Sequence, residues 1–313
     1  MIGPFGPAKR GYKKWLFAVL ALSASLRDRG SKADVVVLMA QKDERGGAAH
    51  ALPEEEKLLS ANGVHWRYVS APYGNGGFHM GHYKLWAWQH TEYARIQLLD
   101  ADLLPLVNMD AFFDLGVTLN SDFVGCPGKL SVLNAGWFVL RPSCHHFEAM
   151  TQIIKADGAK WDTEVGWGHP LPYWLSSEDK VMKSGWDFFD AHGNQGHMYS
   201  YFLFEAQDLT LIYADRVLSM RNGSLAGAEP VLERASFPAE RGAAALERAV
   251  YGAYPCPFPL RIKERAYLHF TGNLKPWTKW NPKDPRFKLW YEAAAKVEGA
   301  DVHSELFGSG ASQ

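Results

Sequence analysis

The stretch Ala94-Arg-Ile-Gln-Leu-Leu-Asp-Ala-Asp102 joins an apolar run to two carboxylates one residue apart. Such a run predicts a strand, and Asp100 and Asp102 then point the same way from its end. Two hard oxygen donors at the end of a buried strand suit a divalent cation that also holds a diphosphate. The alternative is a strand end followed by a turn, because Asp-x-Asp is frequent by chance.

A second motif, His269-Phe-Thr-Gly-Asn-Leu-Lys-Pro-Trp277, lies far along the chain from the first. It combines a borderline metal ligand, a glycine and a cation. Gly272 allows backbone to approach a diphosphate closely, and Lys275 suits a phosphate. Taken alone, His269 is better explained as a core or surface histidine. With Asp-x-Asp upstream, metal ligation is the favoured interpretation.

Apolar runs and helical patterns alternate along most of the chain, which predicts an α/β protein. We predict strands at 33–40, 64–70, 95–99, 121–125, 136–141, 209–214 and 267–270, and helices at 12–29, 53–63, 78–93, 145–156 and 285–297. This alternation predicts βαβ units and a parallel sheet. Ligands bind outside the carboxyl ends of strands in such sheets, so Asp100 and Asp102 stand at a predicted binding edge.

Two further elements lie between the motifs, Leu133-Asn-Ala-Gly-Trp-Phe-Val-Leu-Arg-Pro142 and Gly193-Asn-Gln-Gly196. The four elements in this order resemble glycosyltransferase family 8, with its glycogenin-like and galactinol synthase-like members. The resemblance runs from about Tyr12 to Trp277, which is most of the chain. It implies a GT-A-type nucleotide-diphospho-sugar transferase fold with a single mostly parallel central sheet flanked by helices.

The resemblance also implies a chemistry. Asp100, Asp102 and His269 would hold Mn²⁺, with Mg²⁺ as the alternative, and the ion would bridge the diphosphate of a UDP-sugar. The implied activity is a retaining hexosyltransferase that uses an unidentified carbohydrate or polyol acceptor. The implied donor-binding residues are Tyr12, Asp100, Ala101, Asn134, Ala135, Gly136, Gly272 and Lys275. From the residues alone, a turn into the strand at 136–141 explains Asn134 and Gly136 equally well.

The implied catalytic group consists of Lys84, Asn194, Gln195 and Asp190. Lys84 would face the donor sugar from its helix, and a solvated helix lysine is an equally good interpretation. The family has Asp-Gln-Gly where this chain has Asn194-Gln-Gly, and an amide is neither a base nor a carboxylate nucleophile. Front-face attack needs no protein nucleophile, so Asn194 would still orient the sugar, and Asp190 is a candidate replacement. The alternative function is a catalytically weak or inactive nucleotide-sugar-binding relative.

Domain boundaries follow from the same comparison of patterns. Residues 1–285 form the predicted GT-A-like domain, and 286–313 form a C-terminal helix and a mobile tail. The family opens with a strand beside the nucleobase, but 1–11 contains several Gly and Pro breakers, so we expect this first strand to be missing, either because it is lost or because the sequence is truncated at its N-terminus. The segment at 9–22 resembles a signal peptide. A buried helix closed by Gly30 is favoured, because an apolar run follows at 35–39 as the next strand.

Composition excludes some classes of function. The net charge is −1 and no basic cluster stands out, so we expect no nucleic-acid partner. The apolar segment near the start is too short to span a bilayer, so we expect no membrane span. Three scattered cysteines, Cys126, Cys144 and Cys256, indicate reduced, buried thiols. We therefore expect a cytoplasmic protein, with the Golgi or secretory route as the alternative, and a homodimer stays open.

Overall fold

The structure is a computed structural model. It describes residues 2–5, 10–41, 50–70, 80–126, 131–157, 161–169, 186, 188–212, 217–221, 224–226, 266–273 and 275–308. Its strands are β1 (Ile2–Phe5), β2 (Val35–Gln41), β3 (Val64–Tyr68), β4 (Ile96–Leu99), β5 (Leu103–Pro105), β6 (Phe123–Gly125), β7 (Trp137–Leu140), β8 (Asp208–Ile212), β9 (Val217–Arg221), β10 (Ser224–Ala226) and β11 (Tyr267–His269). These elements confirm the predicted α/β class.

The α-helices are α1 (Arg10–Asp28), α2 (Pro53–Ala61), α3 (Phe113–Thr118), α4 (Cys144–Asp157), α5 (Asn194–Ser200), α6 (Pro285–Ala294) and α7 (Val302–Phe307). Two 3₁₀ helices cover Met80–Gln89 and Asp110–Phe112, and a π-helical turn at Tyr201–Glu205 continues α5. None of the helices in the described part of the chain is long and apolar enough to cross a membrane.

The chain divides into two compact units. Unit 1 comprises Met1–Ser70, Asp100–Asp110 and Arg261–Gln313, and unit 2 comprises Ala71–Leu99 and Ala111–Leu260. Each unit has its own apolar core. Aliphatic and aromatic side chains make up both cores, and burying one large apolar side chain contributes about 1.5–3 kcal/mol.

Unit 1 contains the predicted βαβ units. β1, β2 and β3 pair in parallel, and α1 and α2 are the helices that connect them along the chain. Helix α1 ends as predicted, since Gly30 has a φ of 77° and its N–H donates to the carbonyl of Arg27. A positive φ at this position is cheap only for glycine.

The first strand is present, which corrects our expectation that it is missing. β1 pairs with β2 in the register Ile2 to Met39 and Phe5 to Gln41. Gly3 and Pro4 lowered its strand character in the sequence. The strand lies at the edge of its sheet, where a proline does not interrupt a ladder on both sides.

Unit 2 contains a six-stranded sheet in the order β10-β9-β8-β6-β7-β4. Only β6 and β8 pair in parallel, and the other neighbours are antiparallel. Strand pairing among the described residues therefore forms three sheets, whereas we predicted a single mostly parallel one. The connection between β6 and β7 is shorter than the dozen residues that a parallel crossover needs, so these strands form an antiparallel pair.

Two smaller expectations also change. Cys126 is buried as predicted, but Cys144 is exposed at the first position of α4. Cys256 lies outside the described residues. Beyond residue 286, helix α7 forms at Val302–Phe307, and the side chain of Asp301 caps it by accepting hydrogen bonds from Ser304. A helix therefore occupies part of the segment that we assigned to a tail.

Candidate active site

A two-stranded antiparallel ladder in unit 1 brings the two distant motifs together. β11 pairs with β5 so that His269 lies opposite Leu103. The N–H of Phe270 donates to the carbonyl of Asp102 at 2.9 Å, and the N–H of Leu103 donates to the carbonyl of Asp100 at 3.0 Å. The first bond extends the ladder, and the second closes a tight turn between β4 and β5. Backbone geometry therefore sets the imidazole beside the two carboxylates.

The three predicted metal ligands converge. The Nε2 atom of His269 lies 3.2 Å from Oδ1 of Asp102 and 4.0 Å from Oδ2 of Asp100. One donor atom from each residue lies within 4.8 Å of the other two. Opposite ligands of a cation bound at 2.0–2.6 Å are separated by roughly 4.0–5.2 Å, so this spread suits a single ion. Two carboxylates and an imidazole are also a donor set that Mn²⁺ or Zn²⁺ accepts.

Lys275 belongs to the same group. Its ammonium contacts Oδ2 of Asp102 and the carbonyl of Phe270, and it lies 5.8 Å from the ring centre of Trp15. Burial raises the pKa of Asp102, but the hydrogen bonds and charges of His269 and Lys275 outweigh burial and lower it below its usual range. The Asp102 carboxylate is therefore ionised and already neutralised by its neighbours.

The remaining predicted residues of unit 1 differ in their surroundings. Gly272 is exposed with a φ of 76°, a conformation that favours glycine. Ala101, which lies between Asp100 and Asp102 in the sequence, is buried. Tyr12 is completely buried in the core of unit 1. The Nδ1 atom of His269 is buried and makes no hydrogen bond within the described part of the chain.

A second group of predicted residues lies in unit 2. Lys84 is buried, and its ammonium donates to the carbonyl of Ala135 at 2.8 Å. The N–H of Ala135 donates to Oε1 of Gln195 at 2.9 Å, and Nε2 of Gln195 donates to the carbonyl of Phe189 at 3.2 Å. Burial excludes the alternative that Lys84 is a solvated helix lysine. Lys84 and Gln195 therefore hold both backbone polar groups of Ala135, its carbonyl and its N–H.

The segment from Asn134 to Gly136 is a turn that leads into β7. Oδ1 of Asn134 accepts the N–H of Gly136 at 2.7 Å, which is the side-chain turn that Asn favours. The turn interpretation is therefore observed. A sugar-binding role is compatible with it, because the turn is held on both sides by Lys84 and Gln195.

Helix α5 begins at Asn194, which the sequence patterns did not predict. Asp190 precedes it with a φ of 61°, and its Oδ2 accepts the N–H of Gln195 at 3.3 Å. The backbone carbonyl of Asp190 accepts the N–H groups of Gly193 and Gly196. Asp190 thus satisfies N–H groups of the first turn of α5, as a helix start requires. This contact gives Asp190 a structural role beside the catalytic one that we predicted.

Asn194 is buried against the 3₁₀ helix that contains Gly81. A Cβ atom on Gly81 would lie 2.1 Å from Oδ1 of Asn194, so only glycine admits the amide there. Nδ2 of Asn194 is buried and makes no hydrogen bond to any described residue. A buried amide N–H group without a partner destabilises the folded state unless another group accepts a hydrogen bond from it.

Sequence patterns did not identify three of the groups found here. The carbonyls of Phe270 and Phe189 have no side-chain signature, since any residue supplies a carbonyl. Trp15 was assigned to a buried helix from its apolar neighbours. Its place three positions after Tyr12 on α1 was the available signal, because such residues share a helix face.

Comparison with known proteins agrees with the motifs. An Arabidopsis thaliana protein provisionally named glucuronosyltransferase PGSIP7 is 31% identical over 140 residues, which are 44% of this chain and 27% of that protein. The similarly named PGSIP8 is 32% identical over 169 residues, 53% of this chain and 33% of that protein. Human glycogenin-2 is 36% identical over 78 residues, 24% of this chain and 15% of that protein. No protein-family model matches the chain.

The chain therefore spans a third or less of the length of these curated relatives. Among solved structures, the glycosyltransferase GlyE of Streptococcus pneumoniae TIGR4 matches 96% of this chain and 61% of its own chain, with a TM-score of 0.48 and 15% identity. The names of the sequence relatives confirm the resemblance to glycosyltransferase family 8 that the four motifs predicted.

Proposed function

We propose that this chain, as a relative of the glycosyltransferases of family 8, transfers a hexose from a UDP-sugar to a carbohydrate or polyol acceptor. The transfer retains the anomeric configuration and depends on Mn²⁺, with Mg²⁺ as a weaker substitute. The observation that carries the proposal is the convergence of Asp100, Asp102 and His269. An acidic pair with an imidazole and a lysine suits a complex of a cation with a diphosphate.

The residues of unit 1 would divide the work on the diphosphate. Asp100, Asp102 and His269 would hold the cation, which supplies positive charge to the departing diphosphate. Lys275 would add a charge-assisted contact to a phosphate oxygen. Gly272, exposed and without a side chain, would let its backbone approach the same group.

The resemblance to family 8 assigns the contacts with the sugar to a second set of residues. Lys84 and Gln195 hold the turn from Asn134 to Gly136, and the polar groups of that turn would hydrogen-bond sugar hydroxyls. The Nδ2 of Asn194, which makes no hydrogen bond to a described residue, supports a role in orienting a sugar oxygen. Front-face attack by the acceptor needs no protein nucleophile, so the amide is compatible with slow transfer.

A second candidate function is binding of a nucleotide sugar without transfer. The presence of Asn194 favours it, because the family carboxylate at this position is replaced by an uncharged amide. The two functions predict the same affinity for UDP with Mn²⁺ and differ in turnover.

The names of the relatives guide the choice of donors. PGSIP7 and PGSIP8 are named as glucuronosyltransferases, and a further Arabidopsis relative is named for UDP-glucuronate and xylan. We therefore propose UDP-glucuronate as a donor to test beside UDP-glucose and UDP-galactose. Residence in the cytoplasm is part of the same proposal, with the Golgi as the alternative. Fractionation of the native host distinguishes them.

The deciding experiment measures UDP release and UDP binding on the same protein. Each donor is incubated with Mn²⁺, with Mg²⁺ or with a chelator, and an acceptor panel of glycans and polyols is added. We expect UDP release that needs Mn²⁺, is lost in Asp100→Asn and is kept in the exposed control Asp114→Asn. Binding without release supports the second candidate. No binding of UDP in the presence of Mn²⁺ contradicts both.

A further inference from the structure

Both oxygens of the Asp102 carboxylate are already engaged. Oδ1 faces Nε2 of His269 at 3.2 Å, and Oδ2 contacts the ammonium of Lys275. The ammonium is largely buried and also contacts the carbonyl of Phe270. Lys275 therefore satisfies the charge that a metal ion at Asp102 would satisfy.

A divalent ion and this ammonium compete for one carboxylate. A cation bound at Asp102 stands only a few ångströms from Lys275, and like charges at such a distance repel strongly in a buried setting. The ammonium must therefore either leave Asp102 or weaken the binding of the ion there. The backbone around Lys275 is anchored, because Thr278 donates to the Lys275 carbonyl through its N–H at 3.0 Å and its hydroxyl at 2.7 Å. The long flexible side chain is therefore the part of Lys275 that would move.

We propose that Lys275 is a tethered competitor of the metal ion, which occupies Asp102 until a metal-bound diphosphate arrives and offers the ammonium a new partner. This inference rests on the proposed function and adds a mechanism for the order of binding. The ion alone binds weakly, because the ammonium that it displaces loses its contact with the Asp102 carboxylate. The ion with a diphosphate binds well, because the displaced ammonium meets phosphate oxygens.

Lys275 thus carries the coupling between metal and nucleotide. Coupling free energy is reciprocal, so the factor by which UDP tightens Mn²⁺ equals the factor by which Mn²⁺ tightens UDP. Removal of the ammonium should strengthen the binding of Mn²⁺ on its own and weaken the binding of UDP together with Mn²⁺. If Lys275 only contacted phosphate, its removal would weaken the binding of UDP and leave the binding of the ion alone unchanged.

The test compares Lys275→Gln with the exposed control Lys279→Gln and the charge-keeping variant Lys275→Arg. Titration calorimetry and the paramagnetic resonance signal of free Mn²⁺ give the Mn²⁺ affinity without nucleotide. We expect Lys275→Gln to bind Mn²⁺ about tenfold more tightly than wild type, the ratio that one charge-assisted contact supports. The same variant should bind UDP about tenfold less tightly in saturating Mn²⁺. Lys279→Gln should match wild type, and Lys275→Arg should keep weak Mn²⁺ binding.

The Mn²⁺ measurement separates this inference from the proposed function. Tighter Mn²⁺ binding in Lys275→Gln supports the competition even if no donor releases UDP. Equal or weaker Mn²⁺ binding in a Lys275→Gln protein with wild-type circular dichroism overturns it, and the contact with Asp102 is then a structural ion pair. If wild type and variant both fail to bind Mn²⁺ even in the presence of UDP, the inference and the metal-dependent function are both wrong.

Discussion

At the scale of single residues, Asp102 is the most heavily engaged side chain of the candidate site. Its two oxygens meet an imidazole and an ammonium, and its own carbonyl accepts the N–H of Phe270. A carboxylate at a free strand end would be strained by repulsion from Asp100. Here the contacts of Asp102 with Lys275 and His269 offset that repulsion, so Asp102 contributes to stability before any ligand is bound.

Asp102→Asn should therefore destabilise the metal-free protein. The change leaves the buried ammonium of Lys275 without its carboxylate, which costs about 1–3 kcal/mol. Urea unfolding in a chelating buffer measures this loss, with Asp114→Asn as the matched exposed control. A variant as stable as wild type would show that repulsion from Asp100 cancels the ion pairs. Mn²⁺-dependent UDP release should be lost in either case.

Asn194→Asp tests the amide that distinguishes this chain from the family pattern that it resembles. If the chain is a slow enzyme, a carboxylate near the anomeric carbon stabilises the positive charge that develops there, and UDP release should rise about tenfold or more. Asn194 is buried, so the charge should also lower the melting temperature. Strong wild-type turnover that collapses in the variant would mean that this lineage works with an amide. Unchanged, absent turnover supports the binding function.

His197 links stability to pH. Burial lowers its pKa to about 3 from 6.5, and the nearby Met150 carbonyl only partly opposes this. The unfolded chain therefore binds a proton below pH 6.5 that the folded chain rejects until about pH 3. Stability is fully present above pH 6.5 and falls as the pH drops through this window, by up to about 1.4 kcal/mol per unit. His197→Gln should flatten the slope of unfolding free energy between pH 6 and 4.5, and an unchanged slope would contradict the assignment.

The motifs predicted which residues of unit 1 meet, but not how they are bonded. Asp100, Asp102, His269 and Lys275 carry their chemistry in their side chains, so a spacing pattern reveals them. The pattern does not say that Lys275 contacts Asp102 rather than solvent. For Lys84, a helical pattern leaves burial open, because long cationic side chains either extend into water or bond a buried carbonyl.

At the scale of elements, helix α5 depends on the close approach of its backbone to the preceding turn. A Cβ atom on Gly196 would lie 1.8 Å from the carbonyl oxygen of Ala191. The carbonyl is backbone and a Cβ atom is fixed by the backbone that carries it, so neither can move without shifting the helix or the preceding turn. The position of Gln195 and the turn at Ala135 that it holds then follow from a glycine.

Gly196→Ala should lower the unfolding free energy by about 2–3 kcal/mol, the upper range for overpacking. The matched control is Gly116→Ala in α3. A Cβ atom there would lie 2.8 Å from Nη1 of Arg95, a side chain that can move, and alanine also favours the helix by about 1 kcal/mol. Its net effect should stay within about 1 kcal/mol. Similar losses in both variants, measured by thermal unfolding, would contradict the backbone clash.

Elements with a strong pattern of their own were predicted, and elements that depend on pairing were not. α1, α2, β2 and β3 appear where apolar periodicity, an early proline and terminal glycines indicated them. β5 is three residues long and contains Pro105, so only its pairing with β11 makes it a strand. β1 was missed for the same reason. Short strands with Gly or Pro have little local signal, and distant backbone partners determine them.

At the scale of the whole molecule, the division into two units was not predicted. Unit 1 is built from three separate segments of the chain, and the middle one is the short stretch Asp100–Asp110. No change in composition marks those boundaries. They depend on which strands pair, which is a property of contacts far apart in sequence.

The metal proposal makes a prediction for these separate segments. Binding to the native state alone adds about 2.7 kcal/mol of stability at a ligand concentration of 100 Kd. Amide hydrogen exchange should therefore slow together at 100–106 and 266–273 when Mn²⁺ and UDP are added, although the two segments are far apart in sequence. Mass spectrometry of exchanged peptides measures both. Protection of only one segment would contradict a shared ion.

The pairing of β5 with β11 also bears on how the chain acquires its native state. Lys275 and Asp102 are 173 residues apart, and closing a loop of that length costs roughly 5 kcal/mol of chain entropy. Such a contact forms late, after the local helices and the strands of the first βαβ units. The carboxylates of Asp100 and Asp102 are then present from an early stage as an incomplete pair. Affinity for Mn²⁺ would appear only when β11 pairs with β5. In a refolding experiment, the binding of the ion would then report when this pairing forms.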